Sequence, residues 1–244
     1  MHRTFTIIVS ILLGSSVAQA ANITGSVSYS GKVAKGGEIK FTADPKCAEQ
    51  HKGEKVFAQD IVVNKGKLVN AFVYVKSGAP KGEAPKQAVV LEQKGCWYHP
   101  LVVPLHVNQP LEIVNNDPTM HNINVKPKNN SPFNIAQPVK GMKSTKQFAK
   151  PEVLIPVQCN VHPWMRSYLA VVDNPYYATT DDKGNFTIKG LPAGKYVVEV
   201  VHGKLGTTSK EVTVTDKDVN LPLTLGGSAP SNASEKKETS TKKS

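Results

Sequence analysis

Within seven residues the chain sets a cysteine, a histidine and a methionine at equal spacing: Cys159, His162 and Met165, with two residues between each pair. A thiol, an imidazole and a thioether are thereby carried by one short loop. Pro163 stiffens the loop between the second and third groups, and an apolar, strand-like run from Tyr168 to Val172 follows it. Upstream, residues 115–125 read NNDPTMHNINV, where an Asp117-Pro118 turn presents His121 ahead of a second strand-like run. A fold that joins both stretches in one site must bring two distant loops together.

Soft sulfur donors beside imidazole select copper, and two His, one Cys and a weak axial Met form the donor set of a type 1 copper site. The spacing therefore predicts that His121, Cys159, His162 and Met165 hold one copper ion. His121, Cys159 and His162 would form a trigonal plane, and Met165 would tune the potential from the axial side. No catalytic acid–base pair, Ser-His-Asp set or Gly-rich phosphate loop is legible, so no catalytic residue is assigned. Four protein ligands leave no evident open position for a substrate, which favours an electron carrier over an enzyme.

The cysteine count bears on the same reading. The chain has 244 residues and three cysteines, Cys47, Cys96 and Cys159. Phe5 to Leu13 is mostly apolar and Ala18-Gln19-Ala20 is a small-x-small signal, so residues 1–20 read as a secretory leader cut before Ala21. The apolar run is too short to span a bilayer. The mature protein is thus expected in a periplasmic or extracellular space, where paired cysteines oxidise and an odd one needs a reason to stay free. If Cys159 is a ligand, Cys47 and Cys96 remain as a disulfide. A second arrangement stays open, in which Cys47, His51, Cys96 and His99 hold zinc or another soft metal. The formal net charge of +11 favours acidic partners. An exported chain without an Arg-aromatic pattern argues against nucleic acid.

Short β-branched and aromatic runs broken by turn residues predict an all-β protein. Expected strands include 23–29, 39–42, 56–63, 68–75, 101–107, 111–114, 153–158 and 195–202, with a hairpin turn at Asn64-Lys65-Gly66-Lys67. Residues 126–143, rich in Pro, Asn and Lys, read as a long loop. No helical period persists for three turns. From 226 to 244, Ser, Lys, Thr and Glu dominate and disorder is expected.

The loop Cys159-Asn160-Val161-His162-Pro163-Trp164-Met165-Arg166 resembles the ligand loop of amicyanin-type cupredoxins. Thr119-Met120-His121-Asn122-Ile123 is similar to the segment that carries their upstream histidine. This resemblance implies a Greek-key β-sandwich with copper at one end, over residues 79–175. It also implies that Asn122 ties its loop to the backbone near Cys159, with Asn160 and Pro163 beside the ligands, and that the His162 ring edge is the electron port. Apart from that resemblance, the partner expected of a single-electron carrier is a redox protein such as a c-type cytochrome or a dehydrogenase, and the net charge favours an acidic one. Residues 176–225 resemble the carboxypeptidase regulatory-like (transthyretin-like) module, through Thr180-Asp181-Asp182-Lys183-Gly184-Asn185-Phe186 and Leu191-Pro192-Ala193-Gly194-Lys195-Tyr196. Residues 21–78 either open that module, with the copper domain inserted into it, or add strands to the cupredoxin. Two other functions remain open: a copper storage, delivery or sensing protein, and a non-redox structural or adhesion protein.

Overall fold

The computed structural model describes residues 20–33 and 36–226. The expected leader, apart from Ala20, and the expected disordered tail, apart from Gly226, lie outside the described residues. Within them the protein is all-β, with two sandwiches and two short helical turns. Among the described residues no helix is long and apolar enough to cross a membrane.

In the first sandwich, one sheet runs Phe133–Gln137, His121–Val125, Glu152–Gln158, Arg166–Val172, Val102–His106. The other runs Lys143–Lys146, Leu111–Asn115, Val89–Lys94, Trp97–His99. Leu91, Leu111 and Ile113 from one sheet meet Ile123, Val125, Ile155, Val157 and Leu169 from the other in a single buried cluster. Alternation along each strand puts every second side chain into this layer.

The second sandwich is built around Ala21–Tyr29. This strand pairs antiparallel with Asn185–Leu191 and parallel with Val219–Asn220 and Leu223–Leu225. Facing it is a sheet ordered Tyr177–Thr179, Phe72–Ser77, Gly194–His202, Gly206–Val214. Ile23, Val27, Val73, Val75, Ile188, Val198 and Val200 fill the space between. Among the described residues the first and last strands therefore share one core, and the first sandwich lies between them in sequence.

Phe72, Val102, Ala170, Val172 and Val201 form a third buried cluster that joins the two bodies. In Arg166–Val172, Leu169 and Val171 point into the first core while Ala170 and Val172 point to this junction. From Leu169 to Val172 the strand is covered on both faces, so this part of its sequence is continuously apolar instead of alternating.

Three local expectations are corrected. Residues 126–143 are not one loop: Phe133–Gln137 pairs along the whole of His121–Val125, and its Phe133/Ile135 alternation is masked by the Pro- and Asn-rich flanks. Residues 56–63 do not form one strand. Val56 packs on the first core whereas Ile61 and Val63 pack on the second, so the run crosses between the sandwiches, with a Glu38–Phe57 bridge at one end and the Val63–Asn64 pairing at the other. Residues 39–42 lead into a 3-10 turn, Phe41–Ala43, and a helix, Pro45–Gln50. Asp44 caps that helix, its carboxylate accepting from Lys46 N–H and Cys47 N–H, with Pro45 at the first position. The expected hairpin is present, with Lys65 and Gly66 at φ 49° and 79°, the left-handed pair that a two-residue turn requires.

His202 closes the Gly194–His202 strand and is 5% exposed. Burial pushes its pKa down from 6.5 to about 4, against a weaker opposing pull from Asp60. Between those values the unfolded chain binds the proton and the folded one does not. Its stabilising contribution is therefore complete above pH 6.5 and is lost as pH falls towards 4. In denaturant titrations across that window, His202→Gln should flatten the acid decline by about 1.4 kcal/mol per pH unit; an unchanged slope would mean that the imidazole is solvated in the folded state.

Candidate metal centre

Three elements present the site. His121 opens strand His121–Val125, Cys159 follows strand Glu152–Gln158, and His162 and Met165 lie on the loop that leads into Arg166–Val172. His121, Cys159, His162 and Met165 are all buried, none more than 3% exposed. One ligand atom each from His121, Cys159 and His162 falls within 4.8 Å of the other two. The Nδ1 atoms of the two histidines face each other at 2.9 Å, and Cys159 Sγ lies 3.8 Å from His162 Nδ1. Met165 belongs to the same buried cluster as Cys159. Its N–H donates to His162 O, and its carbonyl accepts from Cys159 N–H, which closes the loop into a tight turn.

The loop is also bonded through the sulfur. His162 N–H points at Cys159 Sγ over 3.4 Å. Asn122 Oδ1 accepts from Asn160 N–H at 2.6 Å and lies 3.3 Å from Cys159 Sγ. The Asn122 amide donates to Asn134 Oδ1, and Tyr98 O–H donates to the Asn122 carbonyl. Asn160 Oδ1 accepts from Asn124 Nδ2 at 2.9 Å. Pro163 is exposed, and its carbonyl accepts from Arg166 Nε.

Both distal imidazole nitrogens meet carboxylates that the sequence reading missed. His121 Nε2 donates to Asp117 Oδ2 at 2.8 Å, and His162 Nε2 donates to Asp44 Oδ2 at 2.9 Å. Asp117 also accepts from the N–H groups of Gly95 and Cys96, and Thr119 O–H donates to Asp44. In the sequence Asp117 reads only as a turn residue ahead of Pro118. Asp44 had a legible signal, Asp-Pro at a helix start, yet its reach to His162 spans 118 positions and leaves no local trace.

Cys47 and Cys96 form a disulfide. Both thiols are thereby withdrawn from metal binding, and the four-residue alternative with His51 and His99 loses its sulfur donors. His51 Nε2 bonds the Gly95 carbonyl, and His99 is exposed. The expected port at the His162 ring edge is corrected too: His162 is 1% exposed, its Nε2 is taken by Asp44, and Cys47 Sγ lies 3.6 Å from that nitrogen. Trp164 packs edge-on to Phe41 and donates to Cys96 O, so the indole belongs to this cover.

The donor set fits a soft cation. Burial pushes the Cys159 thiol up, but hydrogen bonds with His121 and His162 outweigh it and hold it at about 6. Burial likewise pushes His121 down, and its bonds to Asp117 and Cys159 reverse this, so its pKa lies above 6.5. The same contacts thus favour the thiolate of Cys159 at neutral pH and the protonated form of His121 beside it. With both Nε2 atoms facing carboxylates, the two Nδ1 atoms are turned towards each other at 2.9 Å. A metal cation at that point would satisfy the same three donors.

A model of the carboxypeptidase regulatory-like domain matches residues 169–226. No curated protein sequence matches the chain. Among solved structures, a purple cupredoxin from Nitrosopumilus maritimus is similar at 21% identity and TM-score 0.30, over 35% of this chain and 98% of that one. Amicyanin from Paracoccus versutus is similar at 22% identity and TM-score 0.32, over 41% and 97%. A copper-containing nitrite reductase from Thermus scotoductus SA-01 is similar at 22% identity and TM-score 0.31, over 40% of this chain; the match spans a quarter of that enzyme's length.

The thiol gives a direct check on this geometry. In the metal-free protein Cys159 is the one free cysteine, so its thiolate absorbance should rise with a midpoint near pH 6 in place of 9.0. The folded state sheds this proton before the unfolded chain does. The associated stability is complete above pH 9 and is lost as pH falls through 6. A midpoint at the ordinary value would place the imidazoles away from the sulfur.

Proposed function

We propose that this protein is an exported type 1 copper protein that carries single electrons between redox partners, with His121, Cys159 and His162 as equatorial ligands and Met165 as the axial one. The observation that carries this reading is the convergence of two Nδ1 atoms and one thiolate sulfur at a buried sandwich end. The chemistry of the set supports copper over zinc, because thiolate, imidazole and thioether together suit an ion that cycles between cuprous and cupric forms. A bound copper would supply that one-electron couple.

The chain's own residues do the rest. Asn122 and the His162 N–H fix the sulfur, the Cys159–Met165 backbone bonds close the loop, and the two carboxylates orient the imidazoles. Ligands held by groups of this kind move little when the charge at the centre changes, which keeps electron transfer fast. Burial of all four side chains keeps water away and leaves no side open to a substrate, which supports a carrier and not a catalyst. The disulfide fits an oxidising compartment. A soluble redox protein with an acidic face is the partner that the net charge favours.

Loading the mature protein with cupric salt should give an intense thiolate-to-copper visible band and a reversible potential. Cys159→Ser should abolish the band and leave the far-ultraviolet circular dichroism unchanged. Met165→Leu should keep the colour and shift the potential. A colourless product that gives up its metal readily to a chelator would instead support the cargo reading, and no copper uptake at all would remove both.

A further inference from the structure

Resting on the copper reading, we infer that Asp44 and Asp117 are a matched pair of positioning residues that bias the site towards the cupric ion through the distal nitrogens of His162 and His121. The two contacts are near-equivalent, 2.9 Å and 2.8 Å, and each lies on the side of its ring opposite the converging Nδ1 atoms.

Neither carboxylate is loose. Asp117 is 1% exposed and is held by two backbone N–H groups, those of Gly95 and Cys96. Asp44 is held by the N–H groups of Lys46 and Cys47 and by the Thr119 hydroxyl. The Cys47–Cys96 disulfide joins the two mountings: Cys47 lies in the helix that Asp44 caps, and the N–H of Cys96 itself bonds to Asp117. One covalent link therefore fixes both anions behind both rings, although Asp44 and Asp117 come from separate parts of the chain.

A carboxylate that accepts the second proton of a ligand histidine fixes its tautomer and raises its basicity towards metal. It also adds negative charge in a poorly screened place. With the Cys159 thiolate, the cluster holds three anionic groups around one cation position. The doubly charged ion gains more from that field than the singly charged one, so both carboxylates favour Cu(II) over Cu(I). The same arrangement closes the His162 ring edge to a partner, so tuning and cover come from one element.

The test uses the mature full chain as Asp44→Asn, Asp117→Asn and the double variant, each loaded with cupric salt and measured by voltammetry. Each single variant should lower the Cu(II)-to-Cu(I) affinity ratio about tenfold, a rise of about 59 mV for a one-electron couple, with a larger rise in the double variant. Asp216→Asn, an exposed loop carboxylate of the other sandwich, should leave the potential at the wild-type value. In the metal-free protein the His162 Nε2 proton resonance should move upfield in Asp44→Asn, a readout that needs no copper. If Asp117→Asn does not fold, Asp44→Asn and a Cys47→Ala/Cys96→Ala pair carry the test, the latter raising the potential by releasing the Asp44 helix. Copper-loaded variants that keep the wild-type potential would overturn this inference and leave the copper site standing. A wild-type protein that takes up no copper would overturn both.

Discussion

A sulfur anion, two imidazoles and a carboxylate sit together in the dry end of a β-sandwich, and the surrounding structure exists to make that arrangement tolerable. Burying a charged group without partners costs several kcal/mol. Here each one has them. Cys159 has the His162 N–H and the two rings, His121 lies between Asp117 and His162, and Asp117 takes the N–H groups of Gly95 and Cys96. Removing any member leaves another unpaired, so the cluster behaves as a unit. That coupling fixes where the ligand loop, the Asp117 turn and the Gly95–Cys96 turn must lie.

The cover over His162 extends the same logic. An imidazole edge at a sandwich end would ordinarily reach water. The Phe41–Gln50 segment closes it with a carboxylate, a disulfide sulfur and the Phe41–Trp164 ring contact. The segment's own apolar residues, Phe41 and Cys47, join the first core. A stretch that leaves the second sandwich at Tyr29 and returns to it at Val63 thus works for the first one in between.

The second sandwich holds the first where the chain passes between them. Its strands come from residues 21–29, 63–77 and 177–225, so the first sandwich is anchored to it where the chain enters and where it leaves. The Phe72, Val102, Ala170, Val172 and Val201 cluster seals the junction. The strand Arg166–Val172, which follows directly on Met165, is buried on both faces from Leu169 to Val172, so the ligand loop leads into a strand packed on both sandwiches.

The sequence alone determined what depends on neighbours along the chain. The Cys159, His162 and Met165 spacing, the His121 turn, the all-β character and the Lys65-Gly66 hairpin are local, because side-chain alternation and turn conformation act within a few residues. The odd cysteine count required one thiol to stay unpaired, and the loop spacing made Cys159 the candidate. What only the tertiary structure decided depends on groups far apart in sequence. It chose the disulfide over a Cys47, His51, Cys96, His99 cluster, assigned Ala21–Tyr29 to the second sandwich, and drew Asp44 and Asp117 onto the two imidazoles. Periodicity records which face of a strand is buried, but not what packs against it, and a carboxylate 118 residues from its histidine leaves no mark that a pattern along the chain can register.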